Sequence, residues 1–209
     1  RQAVIGLQGT EVPLGIIPLG TGNVLAHEIE VDRRPDALAD MLRSGRVAAA
    51  RTGRANGVPF LLMVGAGFDG RVIAGLNHGV KNRIAKLAYV PPTLAALGAP
   101  LDRIAVEIDG RPHEASWAVI ANARCYGGAF VMAPKTGIDA PGLQAVLFKA
   151  RSRTVLFAQL LALAAGRLER RADVEMVACE AARLTACRMI PTDTPVCAAP
   201  SSGLIAQGG

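Results

Sequence analysis

Several features are missing from this 209-residue sequence. Its four cysteines, Cys125, Cys179, Cys187 and Cys197, form no Cys-x-x-Cys pair, and no histidine cluster stands near them. That spacing argues against a structural zinc site and leaves reduced thiols of a cytoplasmic protein as the default. The three histidines, His27, His78 and His113, lie far apart, which suits surface or satisfied core roles better than a shared ligand set. No initiator methionine opens the chain, and Arg1-Gln2-Ala3-Val4-Ile5-Gly6 leads into no apolar run of signal-peptide type. The expectation is therefore an internal start. No stretch reaches the ~20 apolar residues of a spanning helix; the most apolar, 155–165, reads as a buried helix. Charged residues make up 19% against 51% hydrophobic, a balance that excludes disorder. The net charge of +6 is scattered, so it raises non-specific affinity for anionic lipid surfaces or nucleic acid and identifies neither.

The turn-forming residues divide the chain. Residues 1–9 have the pattern of a helix end, with Ala3, Val4 and Leu7 on one face. Residues 12–19 (V-P-L-G-I-I-P-L) predict a short buried strand. Gly20-Thr21-Gly22 is a tight turn, and a helix starts at Asn23. Pro35 opens a second helix that stops near Gly45. Strands are expected over 47–54 and 59–64, joined at Asn56-Gly57. A glycine-rich break over 65–70 precedes a helix to about 76, and another helix over 81–97 is broken near Pro91-Pro92. Beyond Pro100 the pattern turns to strands: 104–108 and 115–121 around Asp109-Gly110, then 143–148, 174–179 and 182–187, with one helix over 154–168.

Three glycine clusters carry chemistry. Gly20-Thr21-Gly22-Asn23, between a strand and a helix, suits phosphate, because glycines let backbone N–H groups approach an anion. It is not a P-loop, since no Gly-Lys-Ser/Thr follows. An ordinary strand-to-helix turn explains the local pattern equally well. Gly65-Ala66-Gly67-Phe68-Asp69-Gly70 matches G-x-G-x-x-G literally. A dinucleotide site needs an acid about 20 residues on, and Lys86-Leu87-Ala88-Tyr89-Val90 supplies none. Asp69 there either caps a helix or faces a metal–phosphate cluster. Cys125-Tyr126-Gly127-Gly128, followed by Pro134 and Asp139, reads alone as a series of turns.

Taken in order, these stretches resemble the superfamily of diacylglycerol kinases, sphingosine kinases and YegS-like bacterial lipid kinases. The likeness runs through Pro13-Leu14-Gly15-Ile16-Ile17-Pro18-Leu19-Gly20-Thr21-Gly22-Asn23 and Gly65-Ala66-Gly67-Phe68-Asp69-Gly70. It continues through Lys81-Asn82-Arg83-Ile84-Ala85-Lys86-Leu87-Ala88-Tyr89, Asn122-Ala123-Arg124-Cys125-Tyr126-Gly127-Gly128, and Ala133-Pro134 leading to Leu143. The resemblance implies an α/β remnant of a nucleotide-binding domain over 1–31 and a β-rich, β-sandwich-like α+β domain over 32–190. Residues 191–209 are expected to return toward the first domain.

The activity implied is ATP-dependent phosphoryl transfer to the hydroxyl of a lipid such as diacylglycerol or a sphingoid base, with Mg²⁺. Gly20, Thr21, Gly22 and Asn23 would contact the nucleotide. Asp69 would belong to the acidic network around water and Mg²⁺. Gly137, Asp139 and Gly142 resemble a site for a second, structural cation. A lipid substrate implies peripheral membrane contact, and an incomplete first domain invites self-association.

The sequence also departs from the family. No Gly-Gly-Asp-Gly-Thr is present, Val24 stands where many relatives carry Asp, and Asp139 is displaced by one position. The family's Asp-Gly-Glu, whose Asp is the expected base, aligns either with Ala199-Pro200-Ser201 or with Asp193-Thr194-Pro195, and neither register keeps the triplet. A degenerate kinase retained for lipid binding, and a related NAD kinase, are the alternatives. Losing a general base alone lowers a rate by roughly 10²–10⁴-fold, and the phosphate-cradling loop is missing as well. These 209 residues alone are therefore expected to give no measurable phosphorylation of diacylglycerol, sphingoid base or phosphatidylglycerol in a radiolabelled lipid assay.

Overall fold

The computed structural model describes residues 2–20, 22–74, 90–187 and 204–207. Helix α1 (Gln2–Leu7) leads into a segment that differs from expectation. Residues 12–19 form no strand, and Val12, Leu14, Ile17 and Leu19 are exposed. A strand exists only against a partner, and none of the described strands lies beside this segment. Pro13 and Pro18 also have no N–H to offer a ladder. Helix α2 (Val24–Glu28) follows, then α3 (Pro35–Ser44), which has Pro35 in its first turn and left-handed Gly45 beyond its end.

Strands β1 (Gly53–Ala55) and β2 (Val58–Phe60) form the expected hairpin. Asn56 and Gly57 both have positive φ, 49° and 78°, as a type I′ turn demands. The strand expected over 47–54 is shorter, because residues 45–52 have no ladder partner. Strand β3 (Met63–Gly67) runs into α4 (Phe68–Ala74), so the helix begins inside the glycine cluster. Helix α5 (Val90–Gly98) carries Pro91 and Pro92 in its first turn. The expected helical residues before it, with the Lys81 to Tyr89 motif, lie outside the described residues.

The remaining strands are β4 (Arg103–Ile108), β5 (Arg111–Ala115), β6 (Trp117–Ala121), β7 (Cys125–Tyr126), β8 (Phe130–Val131) and β9 (Leu143–Phe148). After them come helix α6 (Arg153–Ala164), a 3₁₀ turn at Leu168–Arg170, and strands β10 (Val174–Cys179), β11 (Ala181–Cys187) and β12 (Leu204–Gln207). One sheet has the order β2-β1-β12-β11-β4-β5, a second has β10-β9-β6-β3, and β7 and β8 form a small hairpin. All of these ladders are antiparallel.

The result is three layers, a small α/β region giving way to the expected β-rich body. Between the sheets, Ile104, Val106 and Ile108 of β4 meet Ala118 and Ile120 of β6 and Ala145 and Leu147 of β9. On the other face of the second sheet, Trp117, Val119, Val146 and Phe148 pack under Phe68 and Val72 of α4 and Leu156 and Leu163 of α6. Strands β6 and β9 are therefore buried at every position, and two-sided burial explains why Gln144 is their only polar residue. No described helix is long and apolar enough to cross a membrane. Helix α6 is not fully buried as expected: Phe157 and Leu161 face outward.

The expected strand over 115–121 is split between sheets at Ser116. Asp109 and Gly110 (φ 46° and 79°) turn β4 into β5, and β6 then joins the second sheet beside β9. At the break, Ser116 Oγ donates to the Phe148 carbonyl at 2.8 Å and accepts from Ala150 N–H at 3.1 Å. Ser116 and Ala150 are both buried. Replacing the hydroxyl leaves the Ala150 donor unsatisfied, which costs about 1–3 kcal/mol. Ser116→Ala is expected to lower the urea midpoint accordingly, with an unchanged slope.

Candidate active site

Asp69 lies in the first turn of α4, directly after β3. Its carboxylate folds back over the strand, and glycine makes this possible. A Cβ on Gly65 would stand 2.3 Å from Asp69 Oδ2, well inside van der Waals contact. Gly67, with φ 88°, passes so close to β6 that a Cβ there would meet the Ser116 carbonyl oxygen at 2.7 Å. Beneath the carboxylate is an aromatic floor. Trp117 stacks on Phe148 at 3.9 Å and is tilted against Phe68 and Tyr126 at 5.2 and 5.9 Å. Burial in this setting raises the Asp69 pKa, opposed by the hydrogen bond from Tyr126. The Tyr126 hydroxyl donates to Asp69 Oδ1. Its own pKa is driven far up by burial and by the neighbouring carboxylate, so it stays a donor.

Tyr126 belongs to the β7–β8 hairpin, and two residues on, Gly128 reaches the other glycine cluster. A Cβ on Gly128 would stand 3.6 Å from the Gly22 carbonyl oxygen. Asn23 holds that turn: at φ 45° and ψ 38° it is left-handed, a conformation Asn tolerates. Its Nδ2 donates to the carbonyls of Pro18 and Gly20, at 3.3 and 2.5 Å. Thr21 lies outside the described residues. One hairpin thus touches both the Gly22 turn and Asp69. Glu28 of α2 fixes the arrangement. Its buried carboxylate accepts from Cys125 N–H at 2.9 Å and from Arg124 Nε at 3.3 Å, and Arg124 Nη2 donates to the Glu28 carbonyl at 2.9 Å.

Comparison with known proteins places the chain in a family. A family model described as the YegS C-terminal NAD kinase beta sandwich-like domain matches residues 62–199, and one for the diacylglycerol kinase catalytic domain matches 1–55. The chain belongs to the diacylglycerol-kinase-like lipid kinase family. A diacylglycerol kinase of Mycobacterium tuberculosis is 31% identical over 161 residues, covering 72% of this chain and 52% of that protein. An uncharacterized Synechocystis protein is 30% identical over 145 residues, 68% of this chain and 31% of its own length. The chain thus spans about half or less of these curated relatives. A crystal structure of a diacylglycerol kinase from Bacillus anthracis superposes with a TM-score of 0.67 at 19% identity, covering 99% of this chain and 70% of that one. At that identity the likeness is one of fold.

The loop after β8 brings Gly137 and Asp139 close to Glu28. A Cβ on Gly137 would stand 2.7 Å from Asp139 Oδ1 and 3.7 Å from Glu28 Oε1. A Cβ on Gly142 would stand 3.6 Å from the Cys179 carbonyl oxygen. Thr136 Oγ1, buried in the same loop, has no hydrogen-bond partner. Asn122, quoted within the family motif, is structural here. Its Nδ2 donates to the carbonyls of Arg51 and Leu61 at 2.9 and 2.7 Å, pinning two loops. The buried thiols of Cys125 and Cys179 are each pushed up to about 11 by burial and stay protonated. Both stretches considered for the base, 193–195 and 199–201, lie outside the described residues.

Sequence reasoning missed Glu28 and the Tyr126 contact. Arg124 and Tyr126 stood inside a quoted motif, but nothing local marks Glu28 as the partner of a residue 96 positions away. The Asp69 environment makes a prediction whose sign follows from its raised pKa. A carboxyl that is harder to ionise when folded opposes folding once the pH exceeds its native pKa, and that cost disappears below the unfolded value. Asp69→Asn is therefore expected to raise the melting temperature at pH 7. The gain should shrink to nothing as the pH falls below the ordinary carboxylate range. A melting series from pH 3 to pH 7 checks it.

Proposed function

We propose that this chain works as part of an ATP-dependent lipid kinase, transferring the γ-phosphoryl of ATP to a lipid hydroxyl such as that of diacylglycerol or a sphingoid base. One observation carries the reading: the β7–β8 hairpin holds Asp69 through Tyr126 and borders Gly22 through Gly128. An acid and a glycine turn suited to phosphate thus share one scaffold, which the literal G-x-G-x-x-G match could not indicate.

In this reading the backbone of Gly20, Thr21 and Gly22 receives the nucleotide phosphates, and Asn23 keeps the turn in shape. Phosphoryl transfer depends mostly on positioning and on charge placed near the moving oxygens. Asp69 supplies a negatively charged oxygen whose orientation Tyr126 fixes and whose surroundings exclude water. Mg²⁺, when bound, would neutralise charge on the phosphates. It keeps several waters and takes only one or two carboxylates beside phosphate oxygens, so the single hard oxygen donor at Asp69 fits it. For the second cation the fit is partial. Asp139 and the orphaned Thr136 hydroxyl offer oxygen donors, but the described residues contain no group of three His, Cys, Asp or Glu.

Radiolabelled transfer from ATP to dispersed diacylglycerol, in the full gene product, tests the proposal. Asp69→Asn is expected to lower kcat by roughly 10²–10⁴-fold in a protein that melts no lower than wild type. Asn23→Ala is expected chiefly to raise the KM for ATP. Turnover of the Asp69 variant within threefold of wild type would overturn the assignment.

A further inference from the structure

Helix α4, which carries Asp69, is poorly fixed by its own backbone. It leaves β3 through Gly67, whose φ of 88° is a conformation that favours glycine. Gly70, within the helix, is exposed, and an interior glycine weakens a helix. Phe68 and Val72 seat one face of α4 on the core. Among the described residues, two polar side-chain contacts are added to that packing. One is Tyr126 on the Asp69 carboxylate. The other is made by Arg71, two residues further on. At about 100° of turn per residue, Asp69 and Arg71 leave the helix on nearly opposite sides.

Arg71 Nη1 donates to the Pro100 carbonyl, and its Nη2 donates to Asp102 Oδ1. One planar guanidinium thus takes two acceptors from the link between α5 and β4, a fork that sets direction as well as distance. The link is itself anchored. Leu97 before it and Leu101 within it pack against the same core as Phe68 and Val72, and Ile104 just beyond it is buried.

Neutralising a buried charge is not what this pair does. The Arg71 and Asp102 side chains are 30% and 26% exposed, and ion pairs open to water contribute little stability. Asp102 also borders an open cleft that Arg103, Glu114 and Arg151 line with it. Those two arginines take part in none of the described ion pairs, so Asp102 has water and other cations at hand without Arg71. What Arg71 supplies is orientation.

We propose that Arg71 is a positioning residue for Asp69: its clamp on Pro100 and Asp102 fixes the turn of α4 that presents the carboxylate to the candidate site. The helix is then held from two sides, by Tyr126 at the carboxylate and by Arg71 behind it. The catalytic consequence rests on the reading of Asp69 as an acid that acts in phosphoryl transfer.

The test uses the full gene product, with ATP and dispersed diacylglycerol. R71A is expected to lower kcat on the order of 10- to 100-fold, the effect of a small misplacement, with the KM for ATP nearly unchanged and little loss in melting temperature. R71K keeps the charge without the fork and should lose less. D102A removes the same clamp from the loop side, so R71A/D102A should be no slower than R71A. A second measurement needs no turnover. Trp117 is tilted against both Tyr126 and Phe68, and its ¹⁵N-labelled indole signal, assigned with W117F, reports the site in the folded protein. R71A and D102A should move that signal in the same direction as Y126F, and R71K should leave it nearer wild type.

A wild-type kcat in R71A, additive losses in the double variant, or a Trp117 signal unmoved by R71A would overturn the proposal. If R71A does not fold, D102A decides in its place, and wild-type values for its kcat and Trp117 signal would overturn it equally. A wild type inert toward lipid whose Trp117 signal moves in R71A and recovers in R71K would sustain the positioning role and defeat only the kinase reading.

Discussion

The buried carboxylate of Glu28 holds the front of this chain against its body. Its bonds join α2 to the residues that enter the β7–β8 hairpin, the hairpin that also borders Gly22 and holds Asp69. A buried charge is tolerable only when its lone pairs are filled. Here a backbone N–H and a guanidinium fill them, and Arg124 returns to the Glu28 carbonyl as well. Charge-assisted bonds of this kind are directional, so the contact sets orientation as well as proximity.

Behind that contact lies a rigid frame. Strands β6 and β9 are covered by a sheet on one side and by helices on the other, and close-packed interiors of this sort do not deform gradually. Trp117 connects the frame to the site, since it is fully buried beneath Tyr126 and Phe68. The Asp69 carboxylate is therefore presented from a dry, immobile floor. Such placement opposes ionisation and folding, and it is what an electrostatic role requires, because a charge acts more strongly where water is excluded.

The same architecture explains why the family's motifs divide as they do. Gly65 and Gly67 are needed because a carboxylate and a neighbouring strand occupy the space a side chain would fill. Asn122 closes loops, Arg124 and Cys125 grip α2, and Tyr126 orients Asp69. One short run of residues thus combines structural and site-forming duties, and the hairpin that begins with it carries two exposed apolar residues at its far strand.

Much was legible in the chain itself. The turns at Asn56-Gly57 and Asp109-Gly110 were, because positive φ is a local demand that only a few residue types meet without strain. So were β6 and β9, whose largely apolar runs announce burial on two sides. Residues 12–19 show the same apolar run and are no strand, since pairing needs a partner that local pattern cannot supply. The split at Ser116 was hidden because both halves favour extended backbone and only the sheets decide where each one goes. Residue types and turn chemistry, then, determined which segments are extended, which are helical and which glycines must stay glycine. The tertiary structure alone decided that Glu28 meets Arg124, that Tyr126 faces Asp69 and that one side of α6 stays uncovered, because these depend on distances between segments far apart along the backbone.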